Sequence, residues 1–147
     1  MKYEDWKAIY IEKTRTLRNW EIVQAIKTGG VVNLNIKGLG EGHIPTAKLT
    51  RYALNPEKDA NKARAFEMAL GYNLGNVDKL IENVERHINE NEVVKKPNTG
   101  YGDRFQISME ITGENGKSAL VTTAWILDDK TGELRLTTIY VDKKKRS

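Results

Sequence analysis

The chain has 147 residues, with 24 Lys or Arg against 20 Asp or Glu, a formal charge of +4 and no cysteine. That length fits one domain with its own core. The lack of thiols excludes disulfides, a cysteine nucleophile and thiolate-bound metal, while the small basic excess permits a polyanionic partner without requiring one.

No run approaches the roughly 18 apolar residues of a membrane span, and MKYEDWK has no apolar segment of the kind a signal peptide carries. The expectation is a cytoplasmic protein with no membrane partner, or a domain delivered into a target-cell cytoplasm as part of a larger chain.

From Tyr3 to Thr28, Trp6, Tyr10, Leu17, Trp20 and Val23 recur at helical spacing, which predicts one long helix with a break considered near Thr14 to Thr16. Gly29-Gly30 ends it, because glycine takes the left-handed backbone of a helix terminus without steric cost. VVNLNIKG alternates Val32, Leu34 and Ile36 with polar residues and predicts a strand. GLGEG, at Gly38 to Gly42, reads as a loop. It lacks the GK[ST] sequence of a phosphate-cradling loop, so no nucleotide is expected there.

His43 follows that loop directly and is placed at the mouth of a site. Lys48 to Leu54 predicts a short helix or turn, stopped by Asn55-Pro56 because the residue before proline avoids the helical region. Asp59 is the natural N-cap of a helix from Ala60 to Leu70, with Ala63, Phe66 and Leu70 on one face and Gly71 as its terminator. Lys62 falls in the first turn, where a cation opposes the helix dipole, so its presence there asks for a reason. Asn76 opens a further helix with the stripe Val77, Leu80, Ile81, Val84 and Ile88, bordered by His87. Asn89 to Gly102 reads as a polar connection, and KKKR at Lys143 to Arg146 as a solvated tail or a phosphate contact.

Three strands are predicted in the last third: Arg104 to Thr112, Ser118 to Leu127 and Glu133 to Val141, the first two joined through a type I′ signal at Asn115-Gly116. With the register the turns suggest, Gln106, Thr123 and Thr137 share one face with Ser108, Trp125 and Arg135. Ile107, Leu120, Ala124, Leu136 and Tyr140 share the other, core face. A slip of one residue brings Thr122 and Thr138 onto the polar face instead.

The expected fold class is α+β. N-terminal helices precede an antiparallel meander of three to four strands, with helices packed on one side. The segments are a helical stretch over 1–30, a domain over 31–142 and a basic tail over 143–147.

KLTRYALNP, NKARAFEMALGY, VTTAW and LRLTTIYV together resemble an uncharacterised domain found at the C-termini of bacterial polymorphic and contact-dependent toxins and on phage-associated proteins, over about His43 to Asp142. The order of helices and sheet also resembles the metal-independent ribonuclease group that includes barnase, EndoU and RelE-like toxins. YEDWKAIYI is similar to the closing residues of phage minor capsid proteins. The resemblance implies a toxin-like ribonuclease domain acting on RNA and held in check by a cognate immunity protein. A non-catalytic phage or prophage module binding a protein or nucleic acid is the alternative.

Metal-independent RNA cleavage needs a base for the 2′-hydroxyl, positive or hydroxyl groups for the phosphorane and a proton for the leaving oxygen. Imidazole ordinarily titrates near neutrality, which nominates His43. Lys48 and Lys62 are candidates to neutralise the phosphate, and Thr123 and Thr138 to donate to its oxygens. Tyr52, Thr137, Trp125 and Tyr140 are the candidates for holding substrate, Trp125 and Tyr140 by stacking on a base. No metal or cofactor is expected, since Asp59, Asp78, Glu82 and Asp103 lack ligand spacing, and no serine sits on a nucleophile elbow.

Overall fold

The computed structural model describes residues 3–142, so the basic tail and the phosphate contact considered for it lie outside the described residues. Helix α1 (Tyr3–Thr28) runs unbroken. Thr14 and Thr16 return their hydroxyls to the carbonyls of Tyr10 and Glu12 one turn back, and the helix continues through the suspected break. Gly29, at φ 69°, stops it.

Two strands follow, β1 (Val31–Ile36) and β2 (Gly40–Pro45), then a π-helical turn (Leu49–Ala53), helices α2 (Ala60–Leu70) and α3 (Val77–His87) and a 3-10 turn (Ile88–Glu90). Strands β3 (Val94–Lys96), β4 (Gly102–Thr112), β5 (Ser118–Asp128) and β6 (Leu134–Val141) complete the chain. The helices start and stop as their sequences direct. The Asp59 side chain accepts from the Lys62 amide, and Gly71 takes φ 77° after α2.

The α+β class holds, but the sheet differs from a three- or four-stranded antiparallel meander. It has six strands in the order β1-β2-β6-β5-β4-β3, and β2 pairs with β6 in parallel at Gly42 with Leu134 and His43 with Arg135. Two strands escaped the sequence reading for different reasons. In β2, GEGHIP has the composition of a loop, yet Gly42 is where a side chain cannot stand: a Cβ there would lie 2.8 Å from Ile36 Cδ1 and 3.1 Å from the Trp125 ring. The glycine therefore closes the hairpin onto the core. The other, β3, is a short, exposed edge strand with no apolar alternation to read.

The β4-β5-β6 meander forms as expected, but the turn between β4 and β5 is not the mirror-image type. Among the described residues none other than glycine has positive φ, so in this turn only Gly116, at φ 80°, enters that region. Pairing of Ile107 with Thr123 and Ile139, and of Met109 with Val121 and Val141, puts these residues on one side of the sheet. There α3 contributes Ile81 and Val84 against Leu136 and Ile139, and Phe66 and Leu70 of α2 join the same core. The other side is more open at Gln106, Ala124 and Thr138, although Thr122 and Ile126 on it are buried. Among the described residues no helix is long and apolar enough to cross a membrane.

Candidate functional site

The register on the uncovered side is the one-residue slip of the expected one. Gln106, Ala124 and Thr138 form one row, and Ser108, Thr122 and Tyr140 the next. An irregularity between Ala124 and Trp125 leaves Thr137 without a partner in the ladder, and its hydroxyl donates to the Ala124 carbonyl. That bulge restores parity, so Leu136 faces the core while Thr137 and Thr138 both stay out of it.

Two of the nominated residues are thereby withdrawn into the core. Thr123 is fully buried; its hydroxyl donates to the Ile107 carbonyl and accepts from Trp125 Nε1 at 2.9 Å. Trp125 is 1 % exposed and cannot stack on a base. The indole needed a buried hydrogen-bond acceptor, and Thr123 supplies it.

Lys62 has its reason. Its Nζ donates to Thr138 Oγ1 at 2.9 Å, reaching the sheet from the first turn of α2. Tyr140 stands next to this pair in a shallow depression shared with Asn61, Ala65 and Val141, and its hydroxyl accepts from Gln106 Nε2. Ser108 and Thr122 share a hydrogen bond of 2.8 Å, and Thr122 donates onward to Asp142.

A second cluster lies further down β6. His43 is not after a loop but inside β2, opposite Asn33 of β1 and beside Arg135 of β6. Its Nδ1 is 2.6 Å from the Asn33 side-chain oxygen. An amide oxygen only accepts, so Nδ1 is the donor in this bond, and the other ring nitrogen, Nε2, lies 3.9 Å from Glu41. Arg135 donates to Asp128 at 2.7 Å. That bond, with backbone donors from Lys130 and Thr131, draws the Asp128 carboxyl down to about 2. Arg135, Thr137, Ile126, Asp128 and the exposed Tyr101 line a cleft of about 390 Å³.

Lys48 joins neither cluster. It sits 5.8 Å above the ring of Tyr52, which is itself 53 % exposed, beside the π-helical turn. Arg135 and Thr138 are three residues apart on β6, roughly 10 Å along an extended strand, so the His43 and Lys62 clusters occupy neighbouring positions on one face and do not share a point. His87 is at the end of α3, bonded to Glu90. Among the described residues no three His, Asp or Glu side chains group as metal ligands do.

Sequence reasoning overlooked Asn33, Tyr101, Asp128 and, as a site residue, Arg135. Asn33 was legible in principle, since it alternates with Val32 and Leu34, but its role depends on β2 being a strand. Arg135 stood on the anticipated polar face and lacked only a neighbour, which the parallel β2–β6 pairing provides.

None of the curated proteins compared with the chain matches it. A family model described as a domain of unknown function, DUF6883, matches residues 37–143, from the turn after β1 to two residues past the end of β6. With well over half of its length covered, the chain belongs to that family.

Proposed function

We propose that the uncovered face of the sheet binds RNA and that His43 cleaves it without a metal ion. The observation that carries this reading is the placement of His43: its Nδ1 donates to Asn33, its Nε2 lies 3.9 Å from Glu41, and Arg135 is its register neighbour on β6. Nε2 removes the proton of a ribose 2′-hydroxyl. The 2′-oxygen then bonds to phosphorus, and the bond to the 5′-oxygen breaks. Arg135 stabilises the charge that builds on the phosphorane, the leaving oxygen takes its proton from water, and the hydroxide so formed takes back the proton on Nε2 and restores the base. Products are a 2′,3′-cyclic phosphate and a free 5′-hydroxyl. Lys62, Thr138 and Tyr140 hold the strand one step away, Tyr140 by stacking, and the cleft at Tyr101 accepts a flanking nucleotide.

The toxin-like resemblance belongs with this reading. A cell producing such a domain needs an immunity protein, and one that covered Arg135 and Lys62 would carry acidic side chains at those positions.

The test is purified protein with total RNA in EDTA. Cleavage to cyclic phosphate ends is expected, and His43→Ala is expected to lower the rate by about a hundred- to ten-thousand-fold. RNA bound but left intact would instead favour the alternative, a non-catalytic phage-associated binding module. The separation of Lys62 from His43 along β6 is the observation on that side.

A further inference from the structure

Helix α1 has two apolar faces, and only one of them is used. The first meets the domain: Ile22 is fully buried, Ala25 and Ile26 pack against the core, Arg18 donates to Glu85 at 2.6 and 3.0 Å and to the Asn33 carbonyl, and Asn19 donates to Asp78. At about 100° per residue, Trp6, Tyr10, Lys13, Leu17 and Trp20 all fall within about 60° of the direction opposite Ile22. Trp6, Tyr10, Leu17 and Trp20 are 55, 60, 64 and 60 % exposed, and the rings of Trp6 and Tyr10 stack on each other at 5.6 Å. Steps of four, three, four and three residues describe a seam of the 3.5-residue period that pairs one helix with another. This helix also lies outside the residues that the family model matches.

We infer that this seam pairs with the same seam of a second copy, antiparallel, making the protein a dimer through α1. The pattern of the seam and its flanks selects that occupant and that direction. In an antiparallel pair, Tyr10 of one copy packs on Trp20 of the other, and Lys13 lies beside Leu17, its stem on the apolar surface and its ammonium in water. Lys7 on the rim faces Glu21 of the second copy at both ends by symmetry, and Glu21, which already accepts from Arg18 of its own helix at 3.0 Å, would be shared between the two cations. Parallel pairing would place Lys13 on Lys13 inside the seam and would leave Lys7 and Glu21 without each other. Burying the exposed parts of four large side chains on each copy removes on the order of 1,000 Å² from water, the size at which a specific interface begins. The seam points away from the domain, so pairing leaves the uncovered sheet face accessible. The inference is independent of what that face does.

Sedimentation velocity of the full chain over a range of concentrations tests it. Wild type is expected to be a dimer with a concentration-dependent dissociation, and Trp20→Glu a monomer with unchanged circular dichroism. Lys7→Glu and Glu21→Lys alone should each weaken association about tenfold or more, because both place like charges opposite each other at the two ends. Mixed in equal amounts, these two variants should associate again as a heterodimer. A wild type monomeric at all concentrations would mean that something other than a second copy covers the seam, and the proposal would fall. It would fall equally if the dimer survived Trp20→Glu, or if the two charge variants did not rescue each other.

Discussion

Two threonines one strand apart divide this molecule. Thr123 on β5 faces the helices and is fully buried, its hydroxyl bonded to the Ile107 carbonyl and the Trp125 indole. Thr138 on β6 faces the uncovered side, and its hydroxyl accepts from Lys62 at the surface. The residue type and the strand propensity are the same. What differs is the side of the ladder, and the difference decides whether a hydroxyl holds the core together or is available to something outside. The rows Ile107, Thr123, Ile139 and Gln106, Ala124, Thr138 lie one residue apart on the same strands; every member of the first is buried and none of the second is. Most of the apolar core therefore lies against one face, and the candidate chemistry on the other, where Thr122 and Ile126 are nevertheless buried.

The first way to break that division is at Trp125. Replacing it by alanine leaves a large cavity and removes the indole donor to the Thr123 oxygen, and should cost about 3–5 kcal/mol in urea unfolding. If Trp125→Ala were nearly neutral, the buried face would not be the source of stability. Asp59→Ala acts between the two faces. It removes the side-chain acceptor for the Lys62 amide and should cost about 1 kcal/mol, while loosening the turn that aims Lys62 at Thr138. Lys62→Met goes further toward the open face. It loses one surface hydrogen bond and relieves a cation at a helix N-terminus, so stability should move by less than about 0.5 kcal/mol. RNA affinity should nevertheless fall, and its dependence on salt should flatten by about 0.7 in slope if Lys62 contacts one phosphate of a single strand. A large stability change without a change in salt slope would make Lys62 a structural residue.

Most of the buried face was legible in the sequence, because it is written in period. Ala63, Phe66 and Leu70, then Val77, Leu80, Ile81 and Val84, then Ile107, Met109 and Ile111 all repeat at the spacing of their element, and all are buried. The stripe on α1 repeats just as clearly and faces water. Period marks a face for contact but does not say with what, and residues 18 to 26 dock α1 through Ile22, Ala25 and Ile26 instead. The open face was harder to read. Which threonine belongs to it depended on a β4–β5 register one residue off the expected one and on a bulge at Thr137, neither of which any residue announces, and His43 gained both its neighbours, Asn33 and Arg135, from a glycine-containing strand that reads as a loop. Lys62 is the exception. Its awkward position in a first helical turn was visible, and the contact with Thr138 answers it.

The smallest expected effect concerns the ion pair at the foot of the open face. The Arg135 hydrogen bond holds the Asp128 carboxyl near 2, below its ordinary 3.8. A carboxyl whose folded value is depressed contributes stability while it is ionised, above its unfolded value, and that contribution is lost as pH falls from about 4 toward 2. The pair is partly exposed to solvent, so screening keeps the contribution small. Asp128→Asn should therefore remove a slight part of the loss of stability across that window and leave stability near neutrality almost unchanged, as followed by thermal unfolding at stepped pH. The same substitution frees Arg135 from its partner. If Arg135 binds phosphate, RNA affinity near neutrality should shift while the unfolding midpoint stays where it was, and an effect on affinity without one on stability is what separates the open face from the buried one.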